Sequence, residues 1–184
     1  MGSGKSTVAG VVADLLGTQA LDLDAHVEAL VGTSIPAIFA ERGERAFRVL
    51  EREAVKTLPP EVGVVSLGGG TLVDEETRQR LLREGIVITL TADPAVLAAR
   101  VGAGEGRPLL GEDPRADLER ILAQRADAYA EAHAVIDTST LDPEEIAAQI
   151  VAVRNLAPIV VPLGERTYRV EVGRGSRHRV GLHA

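Results

Sequence analysis

Met1-Gly2-Ser3-Gly4-Lys5-Ser6-Thr7 is the stretch from which the fold follows. Gly2 and Gly4 let the backbone curl so that its N–H groups converge, Lys5 adds a positive charge, and Ser6 supplies a hydroxyl. This is the second half of a phosphate-binding loop, in which amides and lysine cradle the phosphates of a nucleotide and the hydroxyl reaches its Mg²⁺. The full pattern places another glycine five residues before Gly4 and a buried strand ahead of that, so the expectation is a loop without its first strand. Directly after it, Val8, Val11, Val12, Leu15 and Leu16 recur at helical spacing, and Gly17 is placed as a C-terminal stop. The spacing predicts a helix whose N-terminus points at the phosphates.

The 184 residues are enough for one ordinary domain and a short extra piece. With 45% apolar and 26% charged residues the composition is that of a soluble globular chain, and no apolar run is long enough to cross a bilayer. No secretory signal is seen and there is no cysteine, which excludes disulfides and thiolate metal sites and makes a cytoplasmic location the expectation. A formal charge of -7 argues against a nucleic-acid partner, because that affinity comes from neutralising phosphates. Lys5 and Lys56 are the only lysines, so the remaining positive charge is arginine, suited to paired contacts with carboxylate and phosphate.

Ala20-Leu21-Asp22-Leu23-Asp24 reads as a short strand ending in two carboxylates on one face, able to divide the work of holding Mg²⁺ and accepting a proton. A helix through Val27 and Val31 follows, then a second one capped by Ser34 with Pro36 in its first turn. Gly43 opens a longer helix that carries Phe47 and, beside it, Arg48 near the helix start, where the dipole gives a cation no support and an anionic ligand would. Gly63 to Leu67 predicts a buried parallel strand ending in Gly68-Gly69-Gly70, a surface with no side chains in the way of a small substrate. A helix from Asp74 to Glu84, a strand at Ile86 to Leu90 and a helix from Asp93-Pro94 to about Arg100 continue the alternation. The glycine-punctuated segment Gly102 to Gly111 reads as a mobile lid that brings Arg107 against the transferring phosphoryl group. Asp113-Pro114 starts a helix with Arg125 near its end, Val135 to Thr138 is a last strand, and Asp142-Pro143 caps a final helix ended by Asn155.

Taken in order, these residues resemble shikimate kinase, a small P-loop kinase of the nucleoside-monophosphate-kinase type, over residues 1–155. The stretches that carry the resemblance are Gly2 to Thr7, Asp22-Leu23-Asp24, Gly43-Glu44 with Phe47-Arg48, Ser66 to Gly70, Arg107 to Leu110 and, more weakly, Arg125 with Tyr129. The fold implied is α/β, a P-loop NTPase-like parallel sheet flanked by helices, here with its first central strand missing. The reaction implied is transfer of the γ-phosphoryl group of ATP to the 3-hydroxyl of shikimate, in a domain expected to be monomeric.

The resemblance also implies roles. Gly2, Ser3, Gly4, Lys5, Ser6 and Thr7 would hold the nucleotide phosphates, with Arg100 near the nucleotide and Arg107 on the transferring group. Ser6 and Asp22 would surround Mg²⁺, the latter through water. Asp24 would bind the substrate hydroxyls and take the proton, Arg48 and Arg125 would clamp the carboxylate, and Gly68, Gly69 and Gly70 would supply close backbone contact. Ser139-Thr140 stands where some family members carry an arginine near the adenine. The alternatives are another small-molecule kinase of this fold, such as one acting on gluconate, and a non-catalytic nucleotide-binding chain.

Residues 156–184 differ in character. Ile159 to Leu163 and Thr167 to Val172 read as the strands of a hairpin, followed by a basic stretch from Arg174 to Arg179. Pro158 to Arg166, with Tyr168 and Val172-Gly173-Arg174-Gly175, resembles the beginning of 3-dehydroquinate synthase, as in a fusion of the two activities. The expectation is a chain that starts inside the loop, stops soon after the junction and has no synthase activity.

Overall fold

Strand and helix alternate along the chain because short apolar runs bounded by glycine, proline and aspartate alternate with longer amphipathic stretches. The computed structural model describes residues 2–101, 113–156, 159–161 and 168–170. Helix α1 (Lys5–Leu16) leads to strand β1 (Gln19–Asp22), and helices α2 (Leu23–Val31) and α3 (Ile35–Lys56) follow. Strand β2 (Val62–Ser66), a 3-10 turn at Thr71–Val73, helix α4 (Glu75–Glu84), strand β3 (Ile88–Thr91) and helix α5 (Pro94–Val101) come next. Helix α6 (Pro114–Ala130), strand β4 (Ala134–Asp137), helix α7 (Pro143–Leu156) and the short strands β5 (Ile159–Val161) and β6 (Tyr168–Val170) complete it.

The capping residues set the boundaries. Gly17 and Gly32 end α1 and α2 in the left-handed conformation, at φ 62° and 72°. Ser34 accepts from the Ala37 amide at the start of α3, and Asp142 with Glu145 forms a reciprocal capping box before α7. Gly43, at φ 74° and ψ 171°, breaks α3 where the second helical stretch was expected to begin. One boundary differs from the sequence reading: β1 stops at Asp22, which caps α2 through the amides of Asp24 and Ala25. Asp24 therefore lies in the first turn of a helix, and the two carboxylates do not share a strand face. An aspartate followed by an amphipathic run is a stronger helix start than strand end.

β1 and β2 pair in parallel, with Leu21 opposite Val65 and Asp22 opposite Ser66. β3 and β4 pair in parallel from Ile88 opposite Ala134 to Thr91 opposite Asp137. Among the described residues β2 and β3 are not hydrogen-bonded to each other, so the parallel strands form two pairs. β5 and β6 pair antiparallel, as the expected hairpin does. The basic stretch beyond β6 lies outside the described residues.

Four apolar clusters are found among the described residues, and two of them position the loop and α2. Leu23 and Val27 of α2 pack on Ile38, Phe47, Ala54 and Val55 of α3, and Val8 and Val12 of α1 pack on Ile136, Ile146 and Ala147. Each fully buried leucine or isoleucine, such as Leu23 or Ile38, contributes roughly 1.5–3 kcal/mol. The first cluster fixes α2 against α3 beside β1 and β2, and the second fixes α1, whose N-terminus is the loop.

Candidate active site

The loop, the start of α2, α3 and the turn after β2 enclose one open cavity of about 640 Å³. Gly2, Gly4, Lys5, Ser6 and Thr7 line one end of it, and Arg100 from α5 lies there too. Asp24, Arg48, Gly68, Gly69, Gly70 and Arg125 line the other. Residues distant in the chain, expected to serve nucleotide and substrate, thus share one space. Ser3 is buried and lines a different cavity, between β2 and β3, so its side chain does not face this one. Asp22 stands behind the loop, where its carboxylate accepts a 2.5 Å hydrogen bond from the Ser6 hydroxyl. Arg107 and the segment read as a lid lie outside the described residues.

Gly2 and Gly4 have φ of 74° and 78°, the left-handed backbone that curls the loop inward. A Cβ on Gly2 would also stand 2.9 Å from the Val101 side chain and 3.0 Å from the Leu97 carbonyl, so α5 closes on the loop backbone. Arg100 in α5 donates to the Thr138 hydroxyl at 3.1 Å and to its carbonyl at 2.8 Å. Thr138, fully buried at the end of β4, therefore aims Arg100; nothing in the sequence reading marked it.

At the other end Arg48 is held on two sides, by Glu44 at 2.8 Å and by Glu51 at 2.8 Å, and its guanidinium lies 5.1 Å from the Phe47 ring centre. Burial works to lower its pKa, but Glu51 and Glu44 outweigh burial and raise it, so the cation is secure. Glu51 is itself only 2% exposed and also accepts from the Thr71 hydroxyl at 2.5 Å. Buried carboxylates are rare unless paired. Glu51 ties Arg48 to the turn after β2, and its i,i+3 spacing from Arg48 is the signal that could have found it.

The glycine turn is packed from both sides. A Cβ on Gly68 would lie 2.5 Å from the Glu51 carboxylate and 2.9 Å from that of Asp24, and one on Gly70 would lie 2.3 Å from the Arg48 guanidinium. The Gly69 carbonyl accepts from Arg125 at 2.7 Å and from the Tyr129 hydroxyl. Three glycines are needed because two carboxylates and two arginines converge on this backbone.

Asp24 feels charges from both groups of residues, Lys5 of the loop and Arg48 of α3. Burial raises its carboxyl pKa above the ordinary value, and Asp22 and Glu51 push it further up, against the opposing pull of Lys5 and Arg48. A carboxylate so placed is a stronger base than one in water and a better hydrogen-bond acceptor for a hydroxyl. For Mg²⁺, the Ser6 hydroxyl and the Asp22 carboxylate are hard oxygen donors, with the Ser66 hydroxyl 3.4 Å from that of Ser6. This donor set fits an ion that takes its remaining ligands from phosphates and water.

A curled glycine loop at a helix N-terminus, a parallel sheet flanked by helices and a carboxylate facing the loop define a P-loop phosphotransferase of the small-molecule type. The family model described as shikimate kinase matches residues 1–154, and the chain belongs to that family. Shikimate kinase of Salinispora tropica is 44% identical over 153 residues, covering 82% of this chain and 91% of the relative. That of Thermobifida fusca is 43% identical, covering 82% and 88%. The structure of shikimate kinase from Acinetobacter baumannii in complex with shikimate superposes with a TM-score of 0.79 at 34% identity, covering 84% of this chain and 88% of that one.

Proposed function

We propose that this chain phosphorylates the 3-hydroxyl of shikimate from ATP, with the cavity divided between nucleotide and acceptor as follows. The loop amides and Lys5 hold the phosphates, and Arg100, aimed by Thr138, lies beside the nucleotide. Ser6 and Asp22 would hold Mg²⁺, Asp22 through water, where the ion neutralises charge on the phosphates. Arg48 and Arg125, fixed by Glu51 and by the Gly69 carbonyl, bind the acceptor carboxylate. Asp24 accepts the proton of the attacking hydroxyl, and Arg107 is proposed to close over the transferring phosphoryl.

The observation that carries this reading is the convergence of Asp24, Arg48 and Arg125 on one cavity with the phosphate loop. Phosphoryl transfer requires chiefly positioning and charge neutralisation, and an acceptor bearing a carboxylate requires fixed arginines. Gluconate also bears a carboxylate, but the side-chain-free glycine turn beside Arg48 suits a flat carbocyclic acid better than an open polyol chain. Arg48→Ala should raise the KM for shikimate roughly 10- to 100-fold, the worth of a charge-assisted hydrogen-bond pair, while that for ATP changes little. Equal losses for both substrates in steady-state kinetics would remove the clamp.

Residues 156–184 are proposed to open a 3-dehydroquinate synthase-like domain, on the strength of their sequence resemblance and the change from strand–helix alternation to a hairpin. The kinase domain is proposed to act as a cytoplasmic monomer. Among the described residues no helix is long and apolar enough to cross a membrane.

A further inference from the structure

One buried ion pair stands apart from the roles assigned above. Arg78 of α4 meets Glu131, at the C-terminal end of α6, at 3.0 Å; both side chains are only 12% exposed, and neither residue lines the cavity. A second nitrogen of the same guanidinium donates to the Leu72 carbonyl at 2.7 Å, in the 3-10 turn that follows Gly68-Gly69-Gly70. One guanidinium thus joins α4, the end of α6 and the turn, as its planar fork of donors allows.

Both partners of Arg78 are themselves anchored. Glu131 is followed by the buried Ala132 and by His133, whose amide donates to the Val87 carbonyl at 2.8 Å and whose Nδ1 accepts from the Val87 amide at 3.0 Å. The end of α6 is therefore pinned to the chain just ahead of β3. Leu72 is buried with Leu82, Val87 and Ala132 in one apolar cluster, against which Tyr129 packs. Apolar burial holds the Leu72 side chain without orienting its peptide, because that force has no direction; the hydrogen bond from Arg78 has one. Three residues upstream, the Gly69 carbonyl is gripped by Arg125 and Tyr129 of the same α6. The segment from Gly69 to Leu72 is thus tied to α6 at both ends, directly at Gly69 and through Arg78 and Glu131 at Leu72.

We propose that Arg78, held by Glu131, is a positioning residue for the acceptor: it fixes the glycine turn against α6, so that Gly70 and Arg125 keep their places beside Arg48. Arg78 touches no substrate and acts through the Leu72 carbonyl, a role that rests on the assignment of Arg48, Arg125 and the glycine turn to the shikimate end of the cavity. An ion pair between two helices would by itself only staple α4 to α6. A guanidinium that divides its donors between that carboxylate and the carbonyl of the turn also passes the position of α6 on to the turn.

The test is the double variant Arg78→Met/Glu131→Leu in the full 184-residue chain. Replacing both members of a buried ion pair by apolar side chains is often neutral or stabilising, whereas removing one strands a buried charge, so this variant spares the fold while the Leu72 carbonyl loses its donor. The KM for shikimate should rise about tenfold, with the KM for ATP and kcat within about twofold of the parent and Tm lowered by no more than a few degrees. Hydrogen–deuterium exchange should quicken about tenfold at the Thr71 and Val73 amides, which bond to the Gly68 and Gly70 carbonyls, and stay unchanged at Val8 and Val12 of α1. An unchanged KM for shikimate would overturn the proposal. So would equal rises in both KM values, or a melt lower by more than about 10 °C, since either makes the pair a staple of the whole domain. Exchange needs no substrate: if the parent chain turns over no shikimate, the functional assignment fails, and unchanged exchange at Thr71 and Val73 would separately show that Arg78 does not fix the turn.

Discussion

Asp24 shows how one residue serves catalysis against stability. Burial, with Asp22 and Glu51, raises its pKa in the folded chain. The folded state then binds the Asp24 proton more tightly than the unfolded state, so ionised Asp24 destabilises the fold. That cost is absent below the unfolded pKa and is fully present above the folded one. Asp24→Asn should therefore melt higher than the parent at about pH 7, with the difference shrinking towards about pH 3, while kcat falls by about 10²- to 10⁴-fold. A gap in Tm that is the same at both pH values would contradict the assignment. Glu51 acts one step removed, through Arg48 and Thr71. Glu51→Gln keeps the shape and removes the charge, and should raise the KM for shikimate by about tenfold with the KM for ATP nearly unchanged, as steady-state kinetics with each substrate varied would show.

The elements bring these residues together by ending where they do. β1 stops at Asp22, and the cap that Asp22 provides turns Asp24 into the cavity on the first turn of α2. The turn after β2 is the tightest of these junctions, since Gly70 faces an Arg48 side chain that Glu44 and Glu51 prevent from moving aside. Gly70→Ala should displace the guanidinium and raise the KM for shikimate about tenfold or more. Gly10→Ala is the matching control: a Cβ there meets nothing within 4 Å, and a helix-interior alanine should stabilise by about 0.5–1 kcal/mol without altering either KM. An unchanged KM in Gly70→Ala would mean that the turn does not set the position of Arg48.

Across the whole molecule, what the sequence showed is what local chemistry encodes. The loop, the caps at Ser34 and Asp142, the glycine stops and the order of strand and helix follow from residue types over a few positions, and the structure has them. Asp22 and Asp24 were placed on one strand because alternation and capping compete over so short a stretch, and capping prevailed. Thr138 was not marked and Tyr129 was named only beside Arg125, because their partners lie 38 and 60 residues away and only the assembled fold joins them; Glu51 lies three residues from Arg48, but its second partner, Thr71, is 20 away. The central claim is that this cavity joins a nucleotide phosphate site to a carboxylate-binding acceptor site. The most direct measurement is ADP release by the purified chain with Mg-ATP, with and without shikimate and with gluconate in its place. The expected result is saturable release that depends on shikimate, forms one shikimate 3-phosphate per ADP, and is not elicited by gluconate. Release that ignores shikimate, or none from a chain that melts cooperatively and is stabilised by Mg-ADP, would contradict it.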